Sequence, residues 1–324
     1  MMRRDQTLND DILLEPGVAP ELVFSGAFYT QGPAEGTDGR IYFCDVTATF
    51  RSGMAAGNIW VFDPATFDCR ILRSPSGMAS SIKFDAAGRM LVATGADFGS
   101  RAIIRTDLHT GRSHLVAALH GGRPFNAPSD LVIDRNQRIY FTDPRYFGHE
   151  PIEQPVFGVY RIDTDGTVSL ILADVSKPKS IDLSPDQKTL YVVEHDIRML
   201  DRRLPATVPM RDVGDMRILA YDLDDGVPSR QRVFVDYNGE KGADGITVDA
   251  KGNIYAAVQS RTRPGLRVYS PSGEPLAEVE LPQVPSNCTL VAQSWGSYLY
   301  ITAGSGLYRI KTRIAPISPT REMQ

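Results

Sequence analysis

Two histidines follow apolar strands in this chain, His149 in DPRYFGHE and His195 in VVEHD. An imidazole titrates near neutral pH, so either ring is a candidate general base. His195 has Glu194 and Asp196 beside it, and His149 follows Arg145, Tyr146 and Phe147, residue types suited to the wall of a binding pocket. Serine, histidine and aspartate are all present, but no Gly-x-Ser-x-Gly nucleophile elbow occurs, so a serine hydrolase is not supported. Cys44, Cys69 and Cys288 lie far apart without metal-ligand spacing, and their odd number argues against a disulfide framework. Buried, reduced thiols are the expectation.

The elements that would position these residues repeat. A turn, an alternating apolar strand and a polar residue recur six times: DGRIYFCDV, AGRMLVATG, NQRIYFTDP, QKTLYVVEH, KGNIYAAVQ and WGSYLYITAG. Taking Tyr42, Leu91, Tyr140, Tyr191, Tyr255 and Tyr300 as equivalent, the spacings are 49, 49, 51, 64 and 45 residues. That period belongs to four-stranded propeller blades. Four copies follow a second apolar segment and a turn rich in Gly, Asn and Asp, as in DLVIDRNQ and GITVDAKG, which read as hairpins.

A further hairpin follows each of the first five copies, whereas SGLYRIK supplies only one strand after the sixth. PELVFSGAF near the N-terminus is a strand with no blade of its own. The expectation is an all-β, six-bladed β-propeller of four-stranded blades, its ring closed by that N-terminal strand, which removes an exposed sheet edge. Residues 1–324 read as one domain with peripheral tails at 1–18 and 312–324. The 64-residue spacing marks an insertion at about 199–216, expected beside the pocket or at a subunit contact.

Hydrophobic residues make up 42% of the 324 residues and charged residues 23%, a globular balance able to bury a sizeable core. A net charge of −4 gives no basic field for a nucleic-acid backbone or an anionic membrane. There is no apolar run of membrane-spanning length, and the N-terminal MMRRDQTLNDDILLEPG has polar residues where a secretory signal needs apolar ones. The chain reads as cytoplasmic, with a small-molecule substrate, no nucleic-acid or membrane partner, and an oligomer possible. WD and kelch signatures of protein-binding propellers are absent.

In order and spacing, QGPAEGTDGRIYFCDV, FNAPSDLVIDRNQRIYFTDPRYFG, KPKSIDLSPDQKTLYVVEHD, GADGITVDAKGNIYAAV and VPSNCTLVAQSWGSYLYITAG resemble the senescence marker protein, gluconolactonase and luciferin-regenerating family of six-bladed propellers over nearly the whole chain. The resemblance implies hydrolysis of lactones or related esters, with one divalent cation, often calcium, on the propeller axis. It implies four ligands: a glutamate before Gly-Pro, an asparagine before Asp, an asparagine after Pro, and an aspartate before Gly. Those places hold Gln31, Ser129, Lys179 and Asp244.

The family set carries a charge of −2, whereas Asp244 and Lys179 sum to zero, and an ammonium offers no lone pair to a metal. A metal-free pocket and no cofactor are therefore expected. Asp244 reads as a proton donor or acceptor, or else as a turn carboxylate. Lys179 reads as a solvated surface lysine, as a fixed cation that polarises a carbonyl, or as a Schiff-base nucleophile. Gln31 and Ser129 suit a neutral polar ligand such as a sugar or lactone, or else reflect drift in a dead site, and Asn126 reads either as a match to a position that touches substrate in the family or as a plain turn asparagine.

The leading reading is a lactonase-like enzyme with catalytic Asp244, Lys179 and His195. Gln31, Asn126, Ser129, Arg145, Tyr146 and His149 are its candidate substrate-binding residues. Three alternatives stand beside it: a binding propeller without turnover, a Lys179-based isomerase, lyase or aldol-type enzyme, and a metal-dependent hydrolase using neighbours such as Asp45, Glu35 or Asp130.

Overall fold

The computed structural model describes residues 19–49, 53, 57–197, 215–314 and 316. Most of the 199–216 insertion, all of the 1–18 tail and most of the 312–324 tail lie outside the described residues. Six four-stranded antiparallel sheets form the blades. Blade 1 holds β2 (Thr30–Glu35), β3 (Ile41–Asp45), β4 (Asn58–Phe62) and β5 (Cys69–Arg73). Blade 2 holds β6 (Ala79–Phe84), β7 (Met90–Thr94), β8 (Ala102–Thr106) and β9 (Ser113–Ala117). A small hairpin of β10 (Leu119–His120) and β11 (Arg123–Pro124) precedes blade 3, which holds β12 (Leu131–Ile133), β13 (Ile139–Asp143), β14 (Gly158–Ile162) and β15 (Val168–Leu172).

Blade 4 contains β16 (Pro178–Leu183), β17 (Thr189–His195), β18 (Met216–Asp224) and β19 (Val227–Asp236). Blade 5 contains β20 (Ala243–Val248), β21 (Ile254–Val258), β22 (Gly265–Tyr269) and β23 (Pro275–Glu280). Blade 6 contains β24 (Pro285–Gln293), β25 (Gly296–Ala303) and β26 (Gly306–Thr312), and takes its fourth strand from β1 (Glu21–Ser25). The expected closure is therefore present, with Glu21 opposite Arg309 and Ser25 opposite Gly306.

The first strands of the blades pack on one another around the ring, β2 against β6 and β24, β12 against β6 and β16, and β20 against β16 and β24. They line the axis. The six-fold repeated segment is the second strand of each blade, so His195 closes a second strand instead of following an innermost one. These second strands are buried on both faces, as IYFCD in β3 and IYAAV in β21 are throughout, which is why they read as near-continuous apolar runs.

The turn into each second strand is built by local chemistry. The carboxylates of Asp85, Asp134 and Asp249 each accept a hydrogen bond from the backbone N–H four residues on. The left-handed position of these turns holds Gly88 and Gly252, at φ 73° and 84°, or Gln137 and Gln187, at φ 63° and 59°. The core lies between blades. Six apolar clusters each join two neighbouring blades, and the last joins Ile41, Phe43 and Phe62 of blade 1 to Val291, Tyr300 and Leu307 of blade 6. All three cysteines are free, with Cys44 and Cys288 buried and Cys69 partly so.

Candidate active site

Apart from β12, the first strands carry an irregularity near where they begin. The pairing register slips between Ala79 and Ser81 in β6, between Pro178 and Ser180 in β16, between Ala243 and Gly245 in β20, and between Pro285 and Asn287 in β24. Each slip leaves one residue outside the ladder: Ser80, Lys179, Asp244 and Ser286. A bulge re-aims such a side chain. Ser80, Lys179 and Asp244 line a cavity of about 300 Å³ at the end of the ring. Gln31, just before a slip in β2, and Ser129, just before β12, line it too.

These side chains form one hydrogen-bonded network. Lys179 Nζ lies 3.0 Å from Ser129 Oγ, 3.4 Å from Gln31 Oε1 and 3.4 Å from Asp244 Oδ1. Ser80 Oγ donates to Gln31 Oε1 at 2.8 Å. Asp244 Oδ2 accepts from Gln259 Nε2 at 2.6 Å and from the Tyr29 hydroxyl at 3.3 Å, and Gln259 Nε2 also lies 3.3 Å from that hydroxyl. Burial and the Asp244 charge push the Tyr29 phenol far up, so it stays a donor. Asp244 Oδ1, by contrast, accepts no hydrogen bond although it is buried.

His195 lines the same cavity. Its Nδ1 is 2.7 Å from the Ala243 carbonyl oxygen. A carbonyl only accepts, so Nδ1 carries the proton and Nε2 keeps its lone pair. Burial lowers the pKa of the ring below 6.5, against the opposing pull of Asp244, which leaves it neutral at pH 7. Tyr146 braces this segment by donating its hydroxyl to the His195 carbonyl at 2.8 Å. The rest of the cavity wall is mainly apolar, with Phe28, Met78, Phe147, Ile197 and Val284 prominent and Lys241 as its further charged residue.

Of the candidates from the sequence, Gln31, Ser129, Tyr146, Lys179, His195 and Asp244 meet in this cavity. Asn126, Arg145 and His149 do not line it. Asn126 is fully buried in a loop network, giving its amide to the Val156 carbonyl and accepting from the backbone of Glu153 and Gln154. Arg145 bonds the carbonyls of Asn126 and Glu150. His149 lies 3.3 Å from Asp97 and 3.2 Å from Thr49. Tyr29, Ser80 and Gln259 were not anticipated. Each is an ordinary polar residue at a strand end, and only the ring closure brings Tyr29 and Gln259 together.

The SMP-30/Gluconolactonase/LRE-like region matches residues 34–305. The chain belongs to this family. Among curated relatives it is 28% identical to the gluconolactonase of Zymomonas mobilis, over 94% of this chain and 84% of that one. It is 27% identical to the lactonase drp35 of Staphylococcus epidermidis, over 70% of this chain and 64% of that one. The solved structure of a gluconolactonase from Xanthomonas campestris superposes with a TM-score of 0.75 at 23% identity, covering 92% of this chain and 90% of the other. That likeness is one of fold.

Proposed function

We propose that this family member is a lactonase-like hydrolase, and that its axial pocket opens a lactone ring with Lys179, His195 and Asp244 and without a resident metal. The relatives named gluconolactonase and lactonase support the reaction class. One observation carries the assignment of residues. The Lys179 ammonium sits within 3.4 Å of an oxygen from each of Gln31, Ser129 and Asp244, in a cavity that also holds a neutral imidazole with a free lone pair.

The residues do not fit the divalent cation that the family resemblance implies. Calcium wants six to eight oxygens at about 2.3–2.6 Å with net negative charge. Here the three oxygens converge on an ammonium, and the only carboxylate among them is neutralised by it. Among the described residues, no three His, Cys, Asp or Glu side chains come together as a metal-binding group. Asp45 and Asp130 accept hydrogen bonds on both oxygens: Asp45 from Phe28, Tyr29, Asn58 and Trp60, and Asp130 from Ser81, Leu131, Ser180 and Ile181. Glu35, pushed up to about 7 by burial and by Asp38, does not line the cavity.

In this reading the lactone carbonyl oxygen faces Lys179 Nζ. His195 Nε2 takes a proton from water as the hydroxide attacks the carbonyl carbon. The ammonium stabilises the oxyanion of the tetrahedral intermediate. Collapse breaks the ring C–O bond, and the proton on Nε2 passes to the departing alkoxide, giving a hydroxy acid. Asp244, held by Gln259 and Tyr29, fixes the ammonium in place.

The test is turnover of a lactone panel, followed by acid release, after exhaustive chelation. Unchanged rates in wild type and loss in Lys179→Ala support the reading. Loss on chelation with recovery in calcium would return the chemistry to a metal. A borohydride-trapped adduct on Lys179 would replace hydrolysis by Schiff-base chemistry, and ligand binding with no product from any lactone would make the chain a binding propeller.

A further inference from the structure

The polar groups of the pocket are largely engaged with one another. Gln31 Oε1 already takes Ser80 and Lys179, Ser129 Oγ takes Lys179, and Gln259 Nε2 serves both Asp244 and Tyr29. His195 Nε2 keeps its lone pair, Asp244 Oδ1 has the Lys179 ammonium at 3.4 Å but accepts no hydrogen bond, and Lys241 adds one further cation to the lining. The network is deep: Gln31, Ser129, Asp244 and His195 are each less than 9% exposed. Phe28 and Val284 are 37% and 42% exposed, so the way out to solvent runs past apolar side chains, with Met78, Phe147 and Ile197 also in the wall.

A sugar lactone carries a hydroxyl on nearly every ring carbon. Each one entering this cavity would exchange water for a hydrocarbon wall or an already occupied polar group, and an unpartnered buried hydroxyl is unfavourable. An alkyl or aryl substituent has the opposite balance, because it leaves water for apolar surface. We infer that the pocket selects lactones bearing an apolar substituent over polyhydroxylated ones, with the ring carbonyl at Lys179 and the substituent along Phe28, Met78, Phe147 and Val284. The sequence expectation of a sugar-like ligand rested on Gln31 and Ser129, whose partners are internal. The inference takes the word lactone from the hydrolase reading. The preference itself rests on the wall.

The experiment compares kcat/KM for δ-decalactone and glucono-δ-lactone, and binding of the two corresponding lactams by calorimetry. The alkyl compound is expected to lead by about tenfold or more in both. Phe28→Ser and Val284→Ser, at partly exposed positions, should each raise KM for δ-decalactone and move the ratio between substrates toward one, with kcat less affected. A lead for the gluconolactone pair, or a ratio that neither substitution moves, overturns the inference. Turnover of neither lactone with tighter binding of the alkyl lactam upholds the preference and sinks the hydrolase reading. Binding of neither lactam, with turnover of neither lactone, overturns both.

Discussion

His195 of blade 4 donates its Nδ1 proton to the carbonyl oxygen of Ala243 in blade 5, 2.7 Å away. Ala243 immediately precedes Asp244, so the strand start that aims the carboxylate into the cavity also sets the tautomer of the neighbouring ring. Carboxylate and base are thus placed by the same few backbone atoms.

A pH profile reads this arrangement. Burial lowers the His195 pKa below 6.5, so the unfolded chain takes up a proton that the folded protein refuses as pH falls below about 6.5. Stability should therefore rise with pH between the folded pKa and 6.5 and be independent of this group above it. The acid limb of kcat/KM should likewise lie below 6.5. His195→Gln should lose this limb and about 10²–10⁴ in rate; an unmoved limb in that variant would remove His195 as the base.

Lys179→Met is expected to lower kcat/KM by about 10²–10³, the scale of one lost oxyanion donor. Because the change leaves Asp244 without its cation, Lys179→Met with Asp244→Asn should recover stability in urea but not turnover. Recovery of turnover in the double variant would deny Lys179 its role at the carbonyl.

Calcium should not raise the melting temperature of the wild-type protein. The double variant Gln31→Glu with Lys179→Asn takes the charge of the four positions from zero to −2, and should gain a calcium-dependent rise in Tm. A rise already present in the wild type would show that the ammonium does not exclude the ion.

Gln259→Leu removes the 2.6 Å donor from Asp244 Oδ2 and one partner of Tyr29. A hydrogen bond to a charged group of this kind contributes about 1.5–3 kcal/mol. The loss should appear in urea unfolding, together with a reduced kcat as Lys179 loses its fixed counter-charge.

Phe24 of β1 packs its ring 4.8 Å from Trp60 and 5.4 Å from Phe43. Phe24→Ala should destabilise the protein by about 2–3 kcal/mol, below the range for a fully enclosed phenylalanine because the site is only partly buried. A neutral result would mean that β1 adds little to ring closure.

The fold was legible because its period is carried by the most buried strands. Segments such as IYFCD and IYAAV repeat with their turns, and the unmatched PELVFSGAF marked the closing strand. The layer order was less legible. Apolar density marks the second strands, which lie between neighbours, whereas the first strands carry serines, Lys179 and Asp244 toward the axis. Within the site, Lys179 and Asp244 were found through family positions. Ser80 and Gln259 were hidden because a bulge residue has no sequence signature beyond a slipped register, and because Gln259 is adjacent to its partners only in space. Nothing in FNAPSD distinguishes an asparagine that binds a ligand from one that ties down Glu153 and Gln154.

The seam of blade 6 has a consequence during synthesis. β1 leaves the ribosome first and β26 last, and Glu21 and Arg309, joined by a 2.7 Å ion pair, stand 288 residues apart. Until the final blade emerges, the nascent chain holds an unpaired strand bearing Leu22, Val23 and Phe24, an open template for any other edge it meets. Translation stalled anywhere before residue 306 leaves both a sticky edge and an open ring. Yield should therefore depend on elongation rate and chaperone supply more than the stability of the finished ring would suggest.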